Sequence, residues 1–207
     1  MVWVRIGWCL HPSRRSCRSR RLRTVGPPGS SRPPTWSPGI LPVELILART
    51  PQRAIGLTGI RAYPTGFGCT LHLRLREVIP GEQSNFGAFN MFGDGVDPAG
   101  EFADYYLRFG VGFADGRKAT NLNQRWDFDE SPAPDPPTLR LVRWEGYDLL
   151  AWEVDVWVWG LPPPGPLVFA CEWPARGISE TRVEIDAGPV LEAAGRAVPI
   201  WPDQTPP

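Results

Sequence analysis

Glu153, Asp155, Trp157 and Trp159 alternate along the stretch LLAWEVDVWVW, at positions that a β-strand turns to one face. At that spacing the Cα atoms of the two carboxylates lie about 6.6 Å apart, and the two indoles continue the same row. Carboxylates beside flat rings suit a sugar-binding surface, where the rings stack on pyranose faces and the acids accept hydroxyl hydrogen bonds. A carboxylate pair is also the working part of most glycosidases. The competing reading is structural. Arg74 and Arg76 fall on the wet face of another expected strand, and cross-strand arginine–carboxylate pairs are common sheet decoration worth at most about 1 kcal/mol each. Exposure of Trp157 and Trp159 beside a cleft favours the first reading; burial favours the second.

Other chemistry-bearing residues are sparser. His72 is the histidine of the body, and any Ser-His-Asp or Cys-His site there must use it. No GxSxG elbow accompanies it, and Cys69, three residues away on a strand, points to the opposite face. Asp94, Asp97 and Glu101, or Asp127, Asp129 and Glu130, could gather around calcium, but neither set has EF-hand spacing. No phosphate loop, dinucleotide fingerprint or zinc protease motif occurs. None of the four cysteines forms a CxxC pair. Cys69 and Cys171 lie in apolar strand patterns and read as buried free thiols; bridging them needs an oxidising compartment. The sequence therefore assigns no catalytic residue, metal or cofactor. It points to a non-enzymatic binding or assembly module, with a carbohydrate-binding or carbohydrate-active sandwich using Glu153, Asp155, Trp157 and Trp159 as the alternative.

Charge divides the chain near residue 40. Eight arginines and no acid precede Glu44. All 22 acids follow, against the remaining 14 bases, so the body is about eight charges negative. An acidic body argues against nucleic-acid binding through the folded part. Residues 1–39, rich in Arg and Pro, cannot bury enough apolar surface to offset ordering entropy and read as a disordered basic segment or an over-extended start. The sharper reading is a polybasic arm touching nucleic acid or anionic lipid, with salt-sensitive binding lost on deleting residues 1–39. The apolar run at residues 2–10 precedes the arginines, the reverse of a secretory signal, and no run of 18 apolar residues exists. The expected location is cytoplasmic. A protein partner or a homo-oligomer fits the body; its ligand and pathway stay open.

The elements that must position these residues are strands. Residues 40–203 form one domain of roughly 165 residues, followed by a short tail at 204–207. Abundant Gly and Pro with many large aromatics favours short strands and turns. Period-two patterns predict strands over 42–48, 54–63, 67–78, 104–113, 117–122, 138–144, 149–159, 167–173 and 178–185. Leu71, Leu73 and Leu75 take one face of the third, and His72, Arg74 and Arg76 the other. Over 54–63, strict alternation groups Ile55, Leu57, Gly59 and Arg61 together. Ala114-Asp115-Gly116 predicts a hairpin with a type I′ turn. Residues 80–103 and 127–137 read as loops, and Pro163–Pro166, a PxxP match, as a fixed connection between strands. Residues 186–197 predict one helix, capped by Asp186, with Val190, Leu191, Ala194 and Ala197 as its apolar stripe. The sum is an all-β fold: an antiparallel β-sandwich of about nine short strands with one short C-terminal helix.

Several strings, GIRAYP at 59–64, FADGR at 113–117, LPPPGPLVFACEWP at 161–174 and residues 184–197, resemble an uncharacterised group of bacterial β-rich proteins. The resemblance covers roughly residues 40–203, omits the basic segment, and implies no activity and no catalytic residue.

Overall fold

Alternation of wet and dry side chains builds two antiparallel sheets whose dry faces meet. The computed structural model describes residues 33, 35–77, 104, 107–123, 135–146 (backbone alone for 143–146) and 150–201. Strands β2 (Gly39–Arg49), β3 (Arg53–Tyr63), β4 (Gly66–Leu75), β7 (Thr138–Gly146) and β8 (Ala151–Trp159) form a five-stranded sheet in the order β2-β3-β4-β8-β7. Strands β5 (Arg108–Gly112), β6 (Lys118–Thr120), β9 (Pro166–Trp173) and β10 (Ile178–Asp186) form a four-stranded sheet in the order β10-β9-β5-β6. A two-residue ribbon joins β1 (Trp36–Ser37) to β11 (Val198–Pro199). Every pairing is antiparallel.

Phe67, Cys69, Leu71 and Leu73 of β4 and Trp152, Val154, Val156 and Val158 of β8 point into the core. They meet Phe109 and Val111 of β5 and Leu167, Phe169 and Cys171 of β9 in one continuous apolar cluster. Phe109 and Phe169 stack there, with centroids 6.4 Å apart. At the margins β10 runs beside β2, and β6 beside β7, so the two sheets nearly close on each other. Helix α1 (Gly188–Gly195) lies on β2 and β3 and adds Val190, Ala193 and Ala194 to the core.

The expected all-β class with one short C-terminal helix is what the chain adopts, with eleven strands among the described residues. The two additional strands are the β1–β11 ribbon, too short for periodicity to register. β1 also lies ahead of position 40, inside the segment that composition set apart.

Three local expectations need correction. Strict alternation along β3 fails at Gly59, whose φ of +59° marks a bulge where the β3–β4 register shifts. Ile55 and Leu57 point inward before the bulge and Ile60 and Ala62 after it, which turns Arg61 outward. The β5–β6 hairpin is not type I′, which needs positive φ at both central residues. Only Gly116 has it, at +86°. The Gly116 N–H donates to the Phe113 carbonyl and the Phe113 N–H to that of Arg117, giving a three-residue loop. In the helix, Ala193 takes the buried place expected for Leu191. Pro163–Pro166 does connect β8 to β9. Loop 80–103 and residues 127–134 lie outside the described residues.

Candidate functional site

The outer face of the five-stranded sheet carries the polar residues in rows set by strand register. Thr58, Thr70 and Asp155 form one row across β3, β4 and β8; Gly56, His72 and Glu153 form the next. Register thus brings Glu153 and Asp155 onto one face, as the two-residue spacing requires. It also brings up three partners that sequence reasoning did not single out: Thr58, Thr70 and Arg61.

Asp155 Oδ1 accepts hydrogen bonds from Arg61 Nη2 at 2.9 Å and from Thr70 Oγ1 at 2.9 Å. Glu153 Oε1 accepts from Arg74 Nη2 at 2.8 Å and lies 3.0 Å from His72 Nδ1. The same Nδ1 lies 3.2 Å from Arg74 Nη2, which only donates, whereas the Glu153 carboxylate only accepts. On the other side of the ring Nε2 hydrogen-bonds with the Thr58 hydroxyl. Thr58, His72 and Glu153 thus set a hydroxyl, an imidazole and a carboxylate in series across three strands.

The lattice nonetheless spends its groups on itself. Arg61 and Arg74 supply two positive charges against two carboxylates, and Arg74 Nη1 also donates to the Trp152 carbonyl at 2.9 Å. The side chains of Glu153 and Asp155 are 25% and 22% exposed, so solvent reaches them but does not dominate. Arg74 pairs with Glu153 as expected. Arg76 lies beyond the end of β4, where its N–H donates to the Gln52 carbonyl at 2.8 Å.

The tryptophans divide. Trp157 belongs to this outer face by register, yet it is 0% exposed. Tyr63 packs edge-on to it at 5.6 Å between centroids. Its ring also lies so close over Gly66 that a Cβ there would be 3.1 Å away. Trp159, at the strand end, is half-buried. A ring under cover cannot stack on a sugar, so Trp157 is a packing residue.

Cys69 and Cys171 are both buried in the core. Burial pushes the Cys171 thiol pKa above its ordinary value, opposed by the hydrogen bond to Thr181, whose Oγ1 lies 3.2 Å from Sγ. Among the described residues no three metal-ligating side chains gather. The calcium candidates Asp94, Asp97, Glu101, Asp127, Asp129 and Glu130 lie outside those residues. No described helix is long and apolar enough to cross a membrane.

A second surface stands out by its exposure. Ile40 and Ile46 of β2 are 52% and 54% exposed, and Val198, Ile200 and Trp201 are 56%, 53% and 59% exposed. Ribbon pairing connects these groups: β1 leads through Pro38 directly into β2, and β11 pairs with β1. Val142, 47% exposed on the opposite edge strand β7, is the remaining large exposed apolar residue among those described.

Compared with known proteins, the chain matches no family model, no curated protein and no solved structure. Its function has to be read from these two surfaces.

Proposed function

We propose that the protein is a non-enzymatic binding or assembly module whose contact surface is the apolar strip along β2 and the C-terminal ribbon. The supporting observation is the placement of exposed apolar side chains. Among the described residues, five of the six large ones fall on β2, β11 and the two residues after it. Scattered exposed apolar residues are ordinary, whereas their concentration on linked segments marks a contact surface.

Contact through side chains fits better than strand addition. β2 is an edge strand, but Pro42 removes a donor, two register shifts bend it, and β10 lies alongside. Those are the devices by which edges avoid pairing with other chains. The carbohydrate alternative loses its stacking platform with Trp157, and its two carboxylates are engaged by arginines.

Photo-crosslinking tests the proposal. A diazirine amino acid at position 200 or 201 is expected to give a discrete protein or lipid adduct in whole-cell extract that retains its membranes. The same probe at position 142 should give none. Equal labelling at all three positions, or no adduct at any, would remove the strip as the contact surface.

A further inference from the structure

Resting on that reading, we infer that the partner of the strip is a second copy of this chain, docked by a two-fold contact in which Glu44 of each copy meets Arg196 of the other. Two features of the strip point to this: the pattern of its outward row, and two unpaired charges of opposite sign.

The first is the row itself. Ile40, Pro42, Glu44 and Ile46 of β2 all face solvent, while Leu41, Val43 and Leu45 between them pack against the core. Isoleucine stands at both ends of the row, about 20 Å apart along the strand. Symmetric pairs of identical chains use one patch twice, across a two-fold axis. An axis at Val43, the middle of the row, lays Ile40 of one copy on Ile46 of the other, twice. The ribbon joins the Ile40 end through Pro38. It then carries Val198, Ile200 and Trp201 past the second copy's Ile46, so one contact covers the whole strip.

The second is charge. Glu44 stands among apolar side chains in that row, and among the described residues it makes no ion pair. Arg196 makes none either. Its Nη2 donates to the Ile40 carbonyl at 3.0 Å, which holds the guanidinium at the Ile40 end and leaves its other N–H groups to donate. The same axis sets the second copy's Glu44 opposite Pro42, about 7 Å along the strand from Ile40 and within an arginine's reach. Two Glu44–Arg196 pairs result, one on each side of the axis. Acids and bases are equal in number among the described residues, as along the whole chain, so two copies approach without net repulsion. A bilayer would cover the isoleucines but leave Glu44 without a partner in an apolar setting, which costs free energy. A nucleic acid would repel Glu44 and has little use for exposed isoleucine.

Sedimentation equilibrium of the full chain under reductant tests this. The mass should rise with concentration from 23.0 kDa toward twice that value. Glu44→Arg and Arg196→Glu should each weaken the dimer at least about tenfold, because each sets two like-charge pairs in the contact. An equimolar mixture of the two variants should restore it, since one copy then presents two arginines and the other two glutamates. Ile200→Ser with Trp201→Ser should also weaken it at least about tenfold, and Val142→Ser should leave it unchanged. All these side chains are exposed, so melting temperatures should stay near that of the parent chain. A chain that remains at 23.0 kDa up to about 0.1 mM would overturn the inference. A dimer indifferent to both charge reversals would overturn it too, as would a mixture that fails to associate. A monomer whose position 200 or 201 still yields a discrete adduct with another protein or a lipid would leave the contact strip standing and reject a second copy as its partner. A monomer with no adduct would reject both.

Discussion

Trp157 separates a ligand platform from a packing residue, and the difference is large enough to measure. A fully buried tryptophan replaced by alanine costs about 3–5 kcal/mol, whereas an exposed stacking ring costs little. Trp157→Ala is therefore expected to lower unfolding stability by at least about 3 kcal/mol in a urea titration. A loss below about 1 kcal/mol would return the ring to the surface and revive the sugar-binding reading. The neighbouring ion pairs are worth less. Their side chains are a fifth to two fifths exposed, so solvent screens them and each contributes about 1 kcal/mol or less. Cys171 supplies the pH dependence. Its thiol pKa is raised above the ordinary 9.0 by burial, so the folded state holds that proton more tightly than the unfolded chain does. The associated stability is fully present below the unfolded pKa and is lost as pH rises through the folded one. Denaturation midpoints should accordingly fall on the alkaline side, beyond about pH 9, and Cys171→Ala should flatten that limb. An unchanged alkaline slope in the variant would show that the thiol contributes nothing.

At the scale of elements, Gly59 and Gly39 are the positions where backbone geometry is least forgiving. Gly59 adopts φ +59° with open space around it, so Gly59→Ala should cost about 1–2 kcal/mol from the backbone alone. A Cβ on Gly39 would sit 1.8 Å from the Ala193 carbonyl oxygen, which cannot move without displacing α1. Gly39→Ala is expected to cost about 3 kcal/mol or more, read as a lowered melting temperature. Equal costs for the two variants would mean that the helix does not press on β2. These positions also show where the sequence was readable. Leu71 and Leu73, and Trp152 through Val158, lie where strict alternation puts them, because a strand with one wet face leaves that signature. Strict alternation puts Arg61 on the wrong face because one bulge inverts every later position, and Gly59 alone does not announce a bulge. The Thr58–His72–Glu153 series was hidden for a related reason. Its members come from three strands and meet only through a register that no local pattern states. The β1–β11 ribbon could not be read from periodicity, since two residues hold no period.

For the whole molecule, the large exposed apolar side chains among the described residues fall mostly on β2, β11 and the two residues after it. The body closes its core with a buried face on each sheet, a helix against β2 and β3, and margins where β10 approaches β2 and β6 approaches β7. It does not cover Ile40, Ile46, Val198, Ile200 and Trp201. The polar lattice and the apolar strip thus differ: the lattice ties β3, β4 and β8 together, and the strip is the proposed contact surface. The most direct measurement compares two variants side by side, His72→Ala in the lattice and Ile200→Ser with Trp201→Ser in the strip. For each, the melting temperature and the crosslinked adduct formed from position 40 are recorded. The lattice variant should melt several degrees lower and keep its adduct, whereas the strip variant should keep its melting temperature and lose the adduct. Loss of the adduct in the lattice variant, with the strip variant still forming it, would place the binding surface on the outer face around His72 and contradict this account.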